Sequence, residues 1–543
     1  MSNDGKQETG NGGQSLLLFQ LGPVQDFIAQ ARSTRDMWSG SYMLSWLMAH
    51  AILAVVRKGN LKNEAVVFPS LDKNPLVLAL RDPGAPVESE LALIPNLPNR
   101  FLMLVPNERA NELAEVAKKA IVDELQNIGN AVWKWVMANG GEEAWKKRWD
   151  AQIKAFPQMT CANTPWGANE TWRAAYIRVN ELLAARRNTR DFAQWETVDE
   201  AAVKDSLSGK EEVVGTEKFW ADLRQRERSL FKSPGHAYGA MNLIKRLWIH
   251  VDDGDDANYL ASALNAFTRD VWDSLKIASL PEIALKNATP NNHYVAVLAL
   301  DGDKMGERLS TCNTSPDALR TFSARLSLFA LDQVRRIVNN HDGVLVYAGG
   351  DDVLAILPST KAIACARDLA TAFSQAMDAN ATASCGIAVG HEHAPLQMLV
   401  REAKRMESVA KNRHGRNALA IALYKRSGEI IEWGTQWNSG ALELMQQITD
   451  LIQKEKLSHR FPYALAELLA PYAFKGRNDA MKPVVLAEVR HVLSRQGSGM
   501  ISGDREQLAQ AIDRYLESTS DHLEDFINLF LAETFINRAR GEA

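Results

Sequence analysis

Cysteine is scarce in this chain: Cys161, Cys312, Cys365 and Cys385 are the 4 among 543 residues, far apart, with no C-x-x-C pair and no histidines at zinc-site spacing. That excludes a disulfide scaffold and a cysteine-based zinc site, and it points to a reducing compartment, the cytoplasm. A long apolar run is also missing. The longest, residues 42–56, is interrupted by Ser45 and His50 and falls short of the ~20 residues that cross a bilayer, so no membrane segment is expected. A polar tail and an amphipathic segment precede that run, which is not the layout of an export signal. Net charge is small: 62 Lys+Arg against 66 Asp+Glu leave -4. Any nucleic-acid contact must therefore come from a local basic face.

What is present is an ordinary globular balance, 46% hydrophobic and 24% charged, over a length that suits about three to four domains. Residues 1–14 are polar and Gly-rich and read as a disordered tail. Residues 15–21 (SLLLFQL) read as a buried strand, Gly22-Pro23 as a turn, and Val24, Phe27, Ile28 and Ala31 as a helical stripe, with a second helix beginning after Trp38-Ser39-Gly40-Ser41. Apolar runs at 65–68 and 101–105 complete a first small domain, 15–110. Residues 111–289 look mostly helical and rich in tryptophan. The acid cluster Asp252-Asp253-Gly254-Asp255-Asp256 there lacks the remaining ligands of a calcium loop and reads as a solvated turn.

From residue 290 the pattern sharpens. YVAVLAL at 294–300 is a buried strand ending in Asp301-Gly302-Asp303, and a helix follows to about residue 339. Two strands then flank the turn Gly349-Gly350-Asp351-Asp352. A helix, a strand near 383–389, another helix near 396–411 and a strand at 418–423 follow. The order β-α-β-β-α-β is a ferredoxin-like split unit, spanning 290–426, and the rest, 427–543, reads as helical. The expected fold class is α+β.

In such a unit the hairpin turn lies beside the end of the first strand, so carboxylates 50 residues apart in sequence converge. Clustered carboxylates repel and raise one another's pKa unless a divalent cation neutralises them. Oxygen-only ligands favour Mg²⁺, which commonly shares its site with substrate phosphates. Gly349 and Gly350 remove Cβ atoms where a phosphate or sugar would approach. Residues 401–426 add eight Lys/Arg against two Glu, and of these Lys411 and Arg416 are the best candidates to neutralise a triphosphate. The set fits nucleotidyl transfer.

Three stretches, ALDGDKMGERL at 299–309, YAGGDDVLAIL at 347–357 and AKNRHGRNALAIALYKRSGE at 410–429, resemble the large subunit of type III CRISPR effector complexes, the Cas-ten family. With GPVQDFIAQARSTRDMWSGSYMLS at 22–45 they are most similar to its Cmr-type (III-B) branch. The resemblance implies two palm domains, the first (15–110) without carboxylates and the second (290–426) catalytic, joined by a helical middle domain and followed by a helical C-terminal one. It implies that target RNA, bound by the guide-loaded complex, switches on conversion of ATP to cyclic oligoadenylates. On this pattern Asp301, the Gly302 carbonyl and Asp351 hold Mg²⁺ (or Mn²⁺), with Asp303 and Asp352 in or near a second metal site, and catalysis rests on Asp301, Asp351 and Asp352. Partners would be the other Cmr-type subunits, CRISPR guide RNA and target RNA, so the chain is not expected to act alone.

Many members of the family carry an HD nuclease domain and zinc-ribbon cysteines; neither is expected in this chain. The pair His341-Asp342 stands without further histidine ligands and reads as a turn. Two alternatives stay open: transfer of AMP to another acceptor such as S-adenosylmethionine, and an inactive scaffold that binds guide RNA and partner subunits. On the acceptor side, Gly40 and Ser41 are candidates, since an open glycine and a hydroxyl near a helix start suit a phosphate.

Overall fold

The computed structural model describes residues 13–82, 89–189, 203–231, 235–250, 277–287, 292–378, 380–472, 482–497, 499–518 and 523–536. The acid cluster at 252–256 and nearly all of the N-terminal tail lie outside them. The chain forms two compact units. The first takes Met1–Ile277, Lys304–Asp332 and Val346–Gly350, and the second takes Ala278–Asp303, Gln333–Leu345 and Asp351–Ala543.

The first sheet has the order β2-β3-β1-β4, from β1 (Gln14–Gly22), β2 (Val66–Phe68), β3 (Arg100–Pro106) and β4 (Gln158–Pro165). All three neighbouring pairs are antiparallel. Helix α1 (Thr34–Gly59) runs between β1 and β2, and α2 (Ala110–Ala138) between β3 and β4. This is a complete β-α-β-β-α-β unit. Leu16 to Phe19 of β1 are at most 1% exposed, because this central strand is covered on both faces.

Two expectations change here. The sheet does not end near residue 110, because its fourth strand, β4, lies within the stretch read as helical. Its sequence, QMTCANTP, is a half-exposed edge with only Thr164 buried, so no apolar run announces it. Second, α1 starts at Thr34 behind an Ser33 N-cap whose hydroxyl accepts from the Asp36 amide. Gly40 and Ser41 are therefore inside a 26-residue helix and not near its start. By length and composition α1 is apolar enough to cross a membrane, but 83% of its most apolar window is buried inside the protein. An all-round apolar helix of this kind is a core element.

The second sheet has the order β10-β9-β8-β5-β7-β6. Its strands are β5 (Tyr294–Gly302), β6 (Val344–Gly349), β7 (Asp352–Pro358), β8 (Ala383–His391), β9 (Ala418–Tyr424) and β10 (Ile430–Gln436). The four strands β8-β5-β7-β6 reproduce the split arrangement of the first sheet. The helix α3 (Ala362–Met377) joins β7 to β8, and α4 (Leu396–Asn412) carries the chain from β8 to the parallel strand β9. Residues Val295 to Leu300 are fully buried.

The chain beyond residue 426 is not wholly helical. Lys425 to Glu429 close a hairpin, and Ile430–Gln436 returns as β10 against β9, burying Ile431 and Trp433. Among the described residues, the elements after β10 are helices, the last being Leu523–Ile536.

Candidate functional site

The site is built at one end of β5. Antiparallel pairing sets Leu300 opposite Val353 of β7 on one side and Cys385 of β8 on the other, so the Asp301 carboxylate leaves the sheet beside the β6–β7 turn. That turn holds its shape through two glycines. Gly350 has φ +79°, a left-handed backbone that side-chain-bearing residues rarely adopt, and a Cβ on Gly349 would overlap the Tyr347 hydroxyl. The Asp351 and Asp352 carboxylates follow immediately.

Helix α4 supplies the opposite charge. It lies close on β8 because Gly386 has no side chain: a Cβ there would collide with the α4 backbone at Ala403, Met406 and Glu407. Leu399, Ala403, Met406 and Ala410 are buried on the sheet side. The same helical spacing lines up Lys404, Glu407 and Lys411, seven residues or about two turns from first to last. Lys404 Nζ donates to Asp352 Oδ1 at 2.7 Å and to Glu407 Oε2 at 3.2 Å. Lys411 Nζ donates to Glu407 Oε1 at 2.9 Å and also pairs with Asp301 Oδ2. An alternating chain of charges results: Asp352, Lys404, Glu407, Lys411, Asp301.

The electrostatics follow from burial and crowding. Burial first, and then the charge of Asp301, push the Asp351 carboxyl up to about 7. Burial also raises Asp301, against the pull of Lys411. Burial disfavours the ammonium forms of both lysines, yet Lys404 is raised by Asp352 and Glu407, and Lys411 by Asp301 and Glu407. Buried carboxylates crowded enough to gain protons are a place for a cation. Among the described residues no three His, Cys, Asp or Glu side chains already stand in metal-binding geometry. Two carboxylates and a backbone carbonyl are nonetheless the donor set that Mg²⁺ uses when phosphate oxygens and water complete its octahedron. The oxygen-only residues here fit that ion.

Asp303 does something else. It is 2% exposed. Its Oδ1 accepts from the Ser384 hydroxyl at 2.7 Å, and its Oδ2 from Thr382 at 2.8 Å and from the Asn417 amide at 2.9 Å. A carboxylate committed to three donors ties the end of β5 to β8 and to the start of β9. The expectation of a metal role for Asp303 gives way to this structural one.

The basic segment is corrected as well. Arg405 pairs with Glu402 and Glu432, Arg413 with Asp525, and Lys425 with Glu429. Arg416 lies in the turn after α4 with φ 70° and makes no ion pair among the described residues. Lys404 and Glu407 belong to the eight basic and two acidic residues of 401–426, but the composition of that segment does not single them out. The i, i+3, i+7 spacing of Lys404, Glu407 and Lys411 was the available signal.

Gly40 and Ser41 do not form a pocket. A Cβ on Gly40 would lie 2.7 Å from Lys245 Cδ, and Ser41 is 1% exposed. Their amides are in the interior of a helix, so no free N–H faces a phosphate. The surrounding motif packs: Ser39 receives the Trp248 indole N–H at 2.7 Å, the Tyr42 hydroxyl donates to the Ala92 carbonyl at 2.9 Å, and Asp36 forms a buried ion pair with Arg246. His341, in the turn before β6, contacts Asp368 at 2.9 Å, while Asp342 pairs with Lys361.

The chain is similar in sequence and fold to known proteins. The model of the Cas10/Cmr2 second palm domain matches residues 294–420, and that of the Cmr2 N-terminal region of CRISPR-associated proteins matches residues 16–130. The CRISPR system Cmr subunit Cmr2 of Pyrococcus furiosus is 23% identical, over 88% of this chain and 69% of its own length. Among solved structures, the type III-B Cmr-beta complex bound to cognate target RNA contains a chain similar in fold, with a TM-score of 0.68 at 13% identity over 97% of this chain and 83% of that one. A chain of the Csm1-Csm4 cassette in complex with cA4 aligns with a TM-score of 0.54 at 14% identity, over 95% and 70%.

Proposed function

We propose that this chain, whose matched regions belong to the Cas10/Cmr2 family of type III CRISPR systems, is a nucleotidyltransferase that makes cyclic oligoadenylates from ATP when its complex engages target RNA. The observation that carries the reading is the meeting of Asp301 with Asp351 and Asp352 at one sheet end, with Lys404 and Lys411 paired to the outer two. The cA4-bound Csm1-Csm4 relative and the target-RNA-bound Cmr-beta relative support the product class and the activator.

In this reading Asp301, the Gly302 carbonyl and Asp351 hold Mg²⁺, with Asp352 beside them. When bound, the ion lowers the pKa of a ribose 3′-hydroxyl and neutralises charge on the departing pyrophosphate. The chain's own residues position the reactants. Gly350 leaves the turn open for a phosphate, and Lys404 and Lys411 offer ammonium groups to its oxygens. The scaffold of β5 and the β6–β7 hairpin keeps Asp301 and Asp351 at a fixed separation, which is where proximity contributes to rate. No side-chain nucleophile is needed. The protein would work in the cytoplasm with other Cmr-type subunits and guide RNA.

The test is reconstitution with those partners and labelled ATP, with and without cognate target RNA, and product analysis by mass spectrometry. Cyclic oligoadenylate that appears only with target RNA and Mg²⁺ is expected. Adenylylated S-adenosylmethionine as the sole product, or no product from a complex that binds its target, would overturn the reading.

A further inference from the structure

Glu407 is a buried carboxylate on the inner edge of α4, 8% exposed, and its two oxygens are divided between two lysines. Oε2 takes Lys404, three residues before it, at 3.2 Å, and Oε1 takes Lys411, four residues after it, at 2.9 Å. Each ammonium spends a second N–H on an aspartate of the site, Lys404 on Asp352 and Lys411 on Asp301. An ammonium has three donors. Among the described residues Glu407 is thus the partner the two lysines share, and it belongs to neither strand end that carries the aspartates.

We propose that Glu407 is a positioning residue for the nucleoside triphosphate: it anchors both lysine ammonium groups so that they face the β- and γ-phosphates together when the aspartates turn to a cation. This rests on the nucleotidyltransferase reading above and adds to it how the triphosphate is recognised.

The argument is one of charge and chain entropy. A lysine stem is long and flexible, and holding two of them in one geometry is costly unless a fixed counter-charge gathers them. Glu407 is fixed, because its backbone amide lies against β8 at Gly386, where a Cβ would collide with it. Without Glu407 the only remaining anchors for the lysines among these contacts are Asp301 and Asp352 themselves. The ammonium groups would then stay on the carboxylates that the cation needs and be absent from the phosphates. Glu407→Gln leaves size and shape intact, but its amide nitrogen faces one of the two lysines as a donor facing a donor.

The experiment titrates the full-length chain in MgCl₂ with an α,β-methylene ATP analogue, whose α–β link resists nucleotidyl transfer, and, separately, with AMP. Wild type should prefer the triphosphate. Glu407→Gln should weaken the analogue by ~10-fold, the size of one lost charged contact, and leave AMP within about twofold. In the reconstituted complex the same variant should raise KM for ATP with little change in kcat, and Glu407→Asp should recover part of the loss. In a Lys404→Gln, Lys411→Gln background, adding Glu407→Gln should change analogue affinity less than about twofold, since its route of action is gone. Each variant is first shown to keep a cooperative urea-unfolding transition, because losing both lysines leaves Asp301 and Asp352 without these counter-charges.

Equal weakening of analogue and AMP, or the same loss in the lysine-free background, would overturn the positioning role. So would unchanged analogue binding in a folded Glu407→Gln. If wild type itself shows no preference for the triphosphate analogue over AMP, the nucleotidyltransferase reading fails and this proposal with it. A preference in wild type that survives Glu407→Gln overturns only the present inference.

Discussion

Lys411 on α4 and Asp301 at the end of β5 form an ion pair across 110 residues of sequence. The pair gives the carboxylate a counter-charge, while the neighbouring Asp351, which forms no ion pair of its own among the described residues, is pushed up to about 7 by burial and by Asp301. Under the proposed function, Asp301 exchanges this ammonium for a cation.

Replacing Asp351 and Asp352 by alanine together should leave assembly with partner subunits and binding of target RNA intact while lowering nucleotide product at least ~100-fold, as loss of metal ligands does. EDTA should reproduce the loss, with recovery on adding Mg²⁺ or Mn²⁺ but not Ca²⁺, whose longer bonds misplace the phosphates. Product analysis of the reconstituted complex measures both. Retention of most of the activity in the double variant would remove these residues from the metal site.

Asp303→Ala should behave differently from both. Three donors, from Thr382, Ser384 and Asn417, lose their acceptor, and a buried charged network of this kind is worth about 3 kcal/mol. The urea midpoint should fall accordingly, while Mn²⁺ binding by the folded fraction changes little. Loss of metal binding without loss of stability would return Asp303 to the metal site.

Gly386→Val tests the seat of α4. The side chain would run into the helix backbone at Ala403 and Glu407, and a well-packed interior yields to such overpacking only at a cost of about 1–3 kcal/mol or more. A lowered thermal midpoint is expected, together with weakened binding of a triphosphate analogue, because α4 carries Lys404 and Lys411. Normal stability and normal binding would show that α4 does not depend on this contact.

A pH-dependent contribution to stability should come from Glu211, in the first unit. Burial, and then the charge of Asp205, raise its carboxyl from 4.5 to about 7, and its Oε2 atom is buried without a hydrogen-bond partner. The folded protein therefore holds a proton on Glu211 between those two values that the unfolded chain has released. The stability attached to this group is complete below 4.5 and is lost as pH rises through 7. Glu211→Gln has no proton to lose. Its advantage over wild type in urea unfolding should be larger at high pH than at low, by about 3 kcal/mol. A gap independent of pH would show that Glu211 titrates normally.

The parts of this protein that sequence alone determined are those whose cause is local. Residues 294–300 form a central strand because seven consecutive apolar or aromatic side chains suit an element covered on both faces. Gly350 forms the turn because its backbone must be left-handed, and the spacing of these elements was enough to order strands β5 to β9. Tertiary structure decided the rest. Which lysines meet Asp301 and Asp352 depends on the depth and register of α4 on β8, set by Gly386, and no local pattern encodes a distance between elements. Asp303 looks like a ligand in the string DGD, yet pairing with β8 points it at Ser384 and Thr382. Gly40 reads as an opening for a ligand, but Lys245, 205 positions away, fills the space beside it. The edge strand β4 is polar because water covers much of it, so the apolar signal that reveals buried strands was absent where the first sheet is completed.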